Sequence, residues 1–67
     1  MNSEIDHNNF IPNPGDKFWY IKEALENNLP TLKIVWSKFD PNDNKHKNLV
    51  KSNNCYQSKQ QAIQSLL

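Results

Sequence analysis

No arginine occurs among the 67 residues, and the chain holds a single glycine and a single cysteine. Each scarcity removes a class of function. Without guanidinium groups there is no bidentate contact to guanine or phosphate, which argues against sequence-specific reading of DNA. One glycine cannot build a glycine-rich loop that cradles phosphate. One cysteine forms no internal disulfide, which fits a reducing compartment and sets the expectation of a cytoplasmic protein. No stretch approaches the roughly 20 apolar residues of a membrane span, and the polar start MNSEIDHNN lacks the apolar centre of a signal peptide. No membrane association is expected.

What is present is a one-domain quantity of chain, since a single core takes roughly 50 to 200 residues. Seven aromatics, Phe10, Phe18, Trp19, Tyr20, Trp36, Phe39 and Tyr56, are the main material for that core. The formal net charge is +1, but it is unevenly spread. Residues 1–16 carry Glu4, Asp6 and Asp16 with no basic residue, whereas residues 38–60 carry Lys38, Lys45, Lys47, Lys51 and Lys59 against Asp40 and Asp43. Such asymmetry steers an encounter with an acidic partner but falls well short of the basic clusters of dedicated nucleic-acid binders.

Residues 1–12 show no periodicity and read as a flexible tail, anchored at most by Phe10 and Ile11; the domain is expected over residues 13–67. Asn13-Pro14-Gly15-Asp16 is a turn, with the only glycine where a positive φ is needed. Lys17 to Lys22 is aromatic and β-branched, which favours a strand. Glu23 to Leu29 prefers helix or turn, ended by Pro30. A single helix over residues 17–28, with Phe18, Ile21, Leu25 and Leu29 on one stripe, competes with that reading. Leu32 to Phe39 alternates as a strand, with Leu32, Ile34 and Trp36 on one face. After the polar loop Asp40–Lys45, a third strand is expected over Asn48–Lys51, continuing towards Cys55 and Tyr56 after a turn at Asn53-Asn54. Ser58-Lys59-Gln60-Gln61 matches a capping box, and Ala62, Ile63, Leu66 and Leu67 form the stripe of a closing helix.

Two segments, Pro14-Gly15-Asp16-Lys17-Phe18-Trp19-Tyr20-Ile21 and Tyr56-Gln57-Ser58-Lys59-Gln60-Gln61-Ala62-Ile63, carry a resemblance. The chain resembles small phage and mobile-element proteins that open with a GD-x-V-W/Y-x-I strand and close with an aromatic residue and a T/S-K-E-E-A helix start. Phe18 departs from the β-branched residue usual at its position, and Gln60-Gln61 replace the acidic pair. The resemblance implies an SH3-like, curled antiparallel sheet and a phage or mobile-element origin; it implies no reaction.

Candidate chemistry is thin. Asp40, Asn42 and Asn44 have the spacing that begins a calcium loop, but Lys45 stands where the sixth-position glycine belongs and Lys51 where the bidentate glutamate belongs. His7, His46 and Cys55 lack zinc-ligand spacing. Cys55 beside Tyr56 reads as a small buried side chain rather than a nucleophile. Glu23 and Glu26 read as a solvated face. No metal, cofactor or catalytic residue is expected, and the chain is read as a non-enzyme.

These readings converge on an α+β domain, a small SH3-like antiparallel curled sheet of three to four strands with one C-terminal helix. The function expected is that of a small protein-binding module, an inhibitor or adaptor of a host protein, with anti-defence activity such as CRISPR inhibition as its most specific form. Tyr20, Phe39, Lys45 and Lys47 are the expected contact residues, the lysines steering the encounter. The alternative is a weak, sequence-tolerant nucleic-acid binder in which Lys45, Lys47 and Lys51 track phosphates beside exposed aromatics. Leu66 and Leu67 serve either the core or a contact between two copies, which keeps a homodimer among the alternatives.

Overall fold

The computed structural model describes residues 10–67; most of the tail expected over residues 1–12 lies outside the described residues. The elements are β1 (Lys17–Glu26), β2 (Leu29–Lys38), α1 (Asn44–Lys51) and α2 (Lys59–Ser65). The α+β class is as expected, but among the described residues the sheet has two regular strands rather than three or four, and there are two helices rather than one.

The chain enters β1 through the turn at residues 13–16. Gly15 has φ +85°, and the Asp16 N–H donates to the Asn13 carbonyl at 2.9 Å while the Asp16 carboxylate accepts from the Asn13 N–H. Proline followed by a left-handed glycine is the sequence of a type II turn. The strands then pair antiparallel in unbroken register from Lys17↔Lys38 to Glu26↔Leu29.

This continuous ladder corrects the helix or turn expected over Glu23–Leu29 and the competing helix over 17–28. Asn27 and Asn28 both have positive φ, 53° and 65°, the backbone of a two-residue type I′ hairpin whose twist matches the flanking strands. The tight turn brings β2 alongside Glu23–Glu26, and ladder pairing outweighs their weak local helix preference.

Asn48–Lys51, expected as a third strand, is instead the second half of α1. Asp43 caps that helix, its carboxylate accepting from the Lys45 N–H at 2.8 Å. The spacing of His46, Leu49 and Val50 puts one face on the core, where His46 is buried and both apolar side chains pack. The helix ends in a Schellman motif: Asn53 takes φ 59°, its N–H donates to Val50, and the Asn54 N–H donates to Leu49.

The place of a third strand is filled in an unusual way. The Asn54 side-chain amide accepts from the Ile21 N–H at 3.0 Å and donates to the Ile21 carbonyl at 2.8 Å. Two residues on, Tyr56 and Trp19 exchange two main-chain bonds at 2.8 and 2.9 Å. One side chain and one isolated bridge thus satisfy the outward groups of Ile21 and Trp19 on the edge of β1 that faces away from β2.

The pleat gives the sheet two faces. On the first, Phe18, Tyr20 and Cys55 form the buried cluster, with Phe10, Val35, Phe39, Leu49 and Val50 packed against it. Phe18 is fully buried, stacked on Tyr20 and edge-on to both Phe39 and His46. The second face carries Trp19, Ile21, Ile34 and Trp36, with Tyr56 beside Trp19. Helix α2 lies against both strands, and its fully buried Ala62 stands outside the Phe18 cluster, which places α2 over this second face.

The expected cap of α2 is present. The Ser58 hydroxyl accepts from the Gln61 N–H at 3.2 Å, while the Gln61 side chain accepts from the Gln57 N–H rather than from Ser58. Ser58→Ala is expected to lower stability by about 0.5–2 kcal/mol, read from the urea midpoint. An unchanged midpoint would show that the cap contributes nothing.

Candidate functional site

The hairpin is much longer than the core beneath it. Strands of ten residues extend roughly 33 Å, but burial is concentrated at the Lys17–Ile21 end of β1. From Lys22 through the turn to Lys33, only Ala24 and Thr31 are shielded to an intermediate degree. The outer half of the hairpin is therefore an arm that projects from the body of the domain.

Apolar side chains stand exposed along one face of this hairpin. By register, Leu25, Pro30 and Leu32 continue the second face outward from Trp19, Ile21, Ile34 and Trp36. Leu25 is 73% exposed, and Leu32 and Trp36 are each 52% exposed. Glu23, Ala24, Leu25 and Pro30 line an open depression on the arm. At the other end of the stripe the Lys17 ammonium lies over both indoles, 5.0 Å from the Trp19 ring centre and 4.6 Å from that of Trp36. Such cation–π contacts hold the two rings in place and put a charge at the head of the apolar stripe.

The residues singled out from sequence fall into two groups. Tyr20 is 8% exposed and belongs to the core, and Phe39 is partly buried with its ring stacked on His46 at 5.8 Å. Both are inside because Phe18 and Tyr20 alternate onto the face that α1 covers. Lys45, Lys47 and Lys51 are all exposed on α1. Lys47 and Lys51 are one turn apart on one stripe, whereas Lys45 lies on another side of the helix, 6.0 Å over the Tyr20 ring. Leu25, Leu32 and Trp36 were not among the candidates. The Asn27-Asn28 turn extends both strands to ten residues and carries Leu25 and Leu32 past anything able to cover them.

His46 is a core residue with defined polar partners. Its Nδ1 accepts from the Asp40 N–H at 3.0 Å, so the ring proton sits on Nε2, which faces the Ser37 hydroxyl at 3.5 Å and the Asp43 carboxylate at 3.8 Å. The Asp40–Asn44 loop spends its oxygens on its own backbone: Asp40 accepts from the Asn42 N–H and Asp43 from the Lys45 N–H. Among the described residues, no group of three or more His, Cys, Asp or Glu side chains is placed to hold a metal. Burial pushes the Cys55 thiol above its ordinary range, which keeps it in the weakly nucleophilic protonated form at neutral pH. No helix among the described residues is long and apolar enough to cross a membrane.

Comparison with family models, with curated proteins and with solved structures finds no match to this chain.

Proposed function

We propose that the chain is a non-catalytic protein-binding module, an inhibitor or adaptor of a host protein, that makes contact through its projecting hairpin. One observation carries this reading. A domain this small needs its large apolar side chains for the core, yet Leu25, Leu32 and Trp36 stand at least half exposed along one sheet face. An exposed Trp is among the side chains that dominate binding energy at protein interfaces, and neighbouring apolar residues exclude water around it. The likeness of the chain's two ends to phage and mobile-element proteins supports a host protein as the partner, with an anti-defence role as the most specific form. Lys45 and Lys47 are exposed on α1, over the opposite face of the sheet, and act as steering charges at long range rather than as contacts.

Nucleic-acid binding is the weaker alternative. It asks for exposed rings beside the lysines of α1, and the ring beneath Lys45 is the buried Tyr20.

The test is a pull-down from host extract, with and without nuclease, comparing the wild-type chain with the double variant Leu25→Ser/Trp36→Ser. The expected result is a protein retained after nuclease treatment by the wild type and released by the variant. Retention that disappears with nuclease would replace this reading with nucleic-acid binding.

A further inference from the structure

Strand β2 forms the outer edge of the sheet, and the register of the ladder shows which of its backbone groups lie open. Trp19 and Ile21 direct their N–H and C=O groups away from β2, towards Tyr56 and the Asn54 amide. Trp19↔Trp36 and Ile21↔Ile34 are therefore the non-hydrogen-bonded pairs of the ladder, and Trp36 and Ile34 also point their backbone groups outward. Leu32, two residues further along, does the same. Pro30 comes next and has no N–H, so it closes this row of donors at the hairpin tip. Among the described residues no strand pairs with this edge.

Natural edges are guarded by lysine, proline, bulges or a covering loop. Here Pro30 and Lys38 guard only the two ends. The lysine between them, Lys33, projects to the first face and is tied to Glu26 at 3.0 Å. The open groups of Leu32, Ile34 and Trp36 are thus flanked on the second face by their own apolar side chains, two of them half exposed.

Charge decides what fits there. Two like-charge pairs face each other across the hairpin, Lys17↔Lys38 and Lys22↔Lys33, an arrangement that destabilises a ladder unless other charges offset it. Glu23 and Glu26 are the only carboxylates on the two strands. Residues paired across a ladder share a face, so an added strand meets Lys33 on the first face and Leu32, Ile34 and Trp36 on the second. A second copy paired by a two-fold at Ile34 would match Leu32 to Trp36 but set Lys33 diagonally beside its counterpart and join two lysine-rich hairpins.

We infer that the outer edge of β2, from Leu32 to Lys38, is a strand-docking site for an extended segment of another protein that alternates apolar and acidic side chains. The segment extends the sheet through its backbone, seats its apolar residues against Leu32, Ile34 and Trp36, and sets a carboxylate beside Lys33. This inference rests on the protein-binding reading above and names the edge and the partner's chemistry.

The test titrates the whole chain with a fluorescein-labelled peptide of alternating valine and glutamate, and with the same peptide carrying lysine for glutamate, while amide signals are followed by NMR. The key variant is Leu32→Pro, which removes an outward N–H without touching a β1–β2 hydrogen bond. The expected result is valine–glutamate binding that shifts the Leu32, Ile34 and Trp36 amides of the wild type, weakens about tenfold in Leu32→Pro, and is lost with the lysine peptide. Leu32→Lys, which adds a guarding charge without the proline constraint, is expected to weaken binding to a similar degree. Absence of binding to the wild type, shifts confined to α1 or α2, or wild-type affinity retained by both variants would overturn the inference. So would a concentration-dependent dimer of the free chain that Leu32→Pro abolishes. Equal pull-down of one nuclease-resistant protein by wild type and Leu32→Pro would remove the edge while leaving protein binding in place.

Discussion

Phe18→Ala is expected to lose about 3–5 kcal/mol of stability, enough to leave a substantial unfolded population at 25 °C. A chain of this length has a total stability of roughly 3–10 kcal/mol, and Phe18 lies at the centre of what provides it. Its side chain is fully buried, stacked on Tyr20 at 5.6 Å and edge-on to Phe39 at 5.9 Å and His46 at 5.2 Å. Removal of the ring leaves three neighbours facing a void that two short helices and a hairpin cannot close. Phe18→Leu keeps most of the volume and is expected to cost about 1.5 kcal/mol or less. Urea unfolding followed by tryptophan fluorescence separates the two. An alanine variant within about 1 kcal/mol of wild type would mean that the core is centred elsewhere.

Asn54→Leu is expected to cost about 2–4 kcal/mol, because it leaves two half-buried main-chain groups without a partner. The Asn54 amide answers the Ile21 N–H and C=O together, and each orphaned group carries a penalty of about 1–3 kcal/mol. Asn54→Asp keeps the acceptor but loses the donor and turns a carboxylate towards the Ile21 carbonyl; it is expected to fall between wild type and the leucine variant. The discriminating observation is exchange of the Ile21 amide proton, which should accelerate in Asn54→Leu more than that of Trp19, still bonded to Tyr56. Unchanged exchange at Ile21 would remove Asn54 from the sheet.

Local chemistry explains which parts of this fold could be read from sequence. The Gly15 turn and the Ser58 cap are written in residues close to one another, and both stand as expected; the strand expected from Leu32 to Phe39 is present but begins at Leu29 and ends at Lys38. The outer hairpin is not of that kind. Glu23 to Glu26 has a weak helical preference that yields to a ladder whose partner lies across a two-residue turn, and Asn27-Asn28, within the helix or turn expected up to Pro30, is that turn. In α1, Leu49 and Val50 fit a strand as well as a helix until Asp43 is recognised as a cap and His46 as a core residue.

The candidate surface was legible only through the fold. Exposure of Leu25 and Leu32 follows from how far the hairpin outruns α1 and α2, whereas Trp36, opposite Trp19 at the base, stands exposed on the outer strand, and no local pattern encodes either. Burial of Tyr20 follows from its alternation with Phe18 onto the covered face. The lysines of α1 were legible as exposed charges, because long charged side chains seldom lie elsewhere.

The left-handed positions at Asn27, Asn28 and Asn53 have a consequence outside the folded structure. Glycine adopts such a backbone without strain, but it also gives the denatured chain more conformations to lose on folding. Asparagine accepts a modest native-state strain and returns a narrower unfolded ensemble. In a domain whose net stability is a small difference between large quantities, its turns contribute partly by limiting the disorder of the state it must leave.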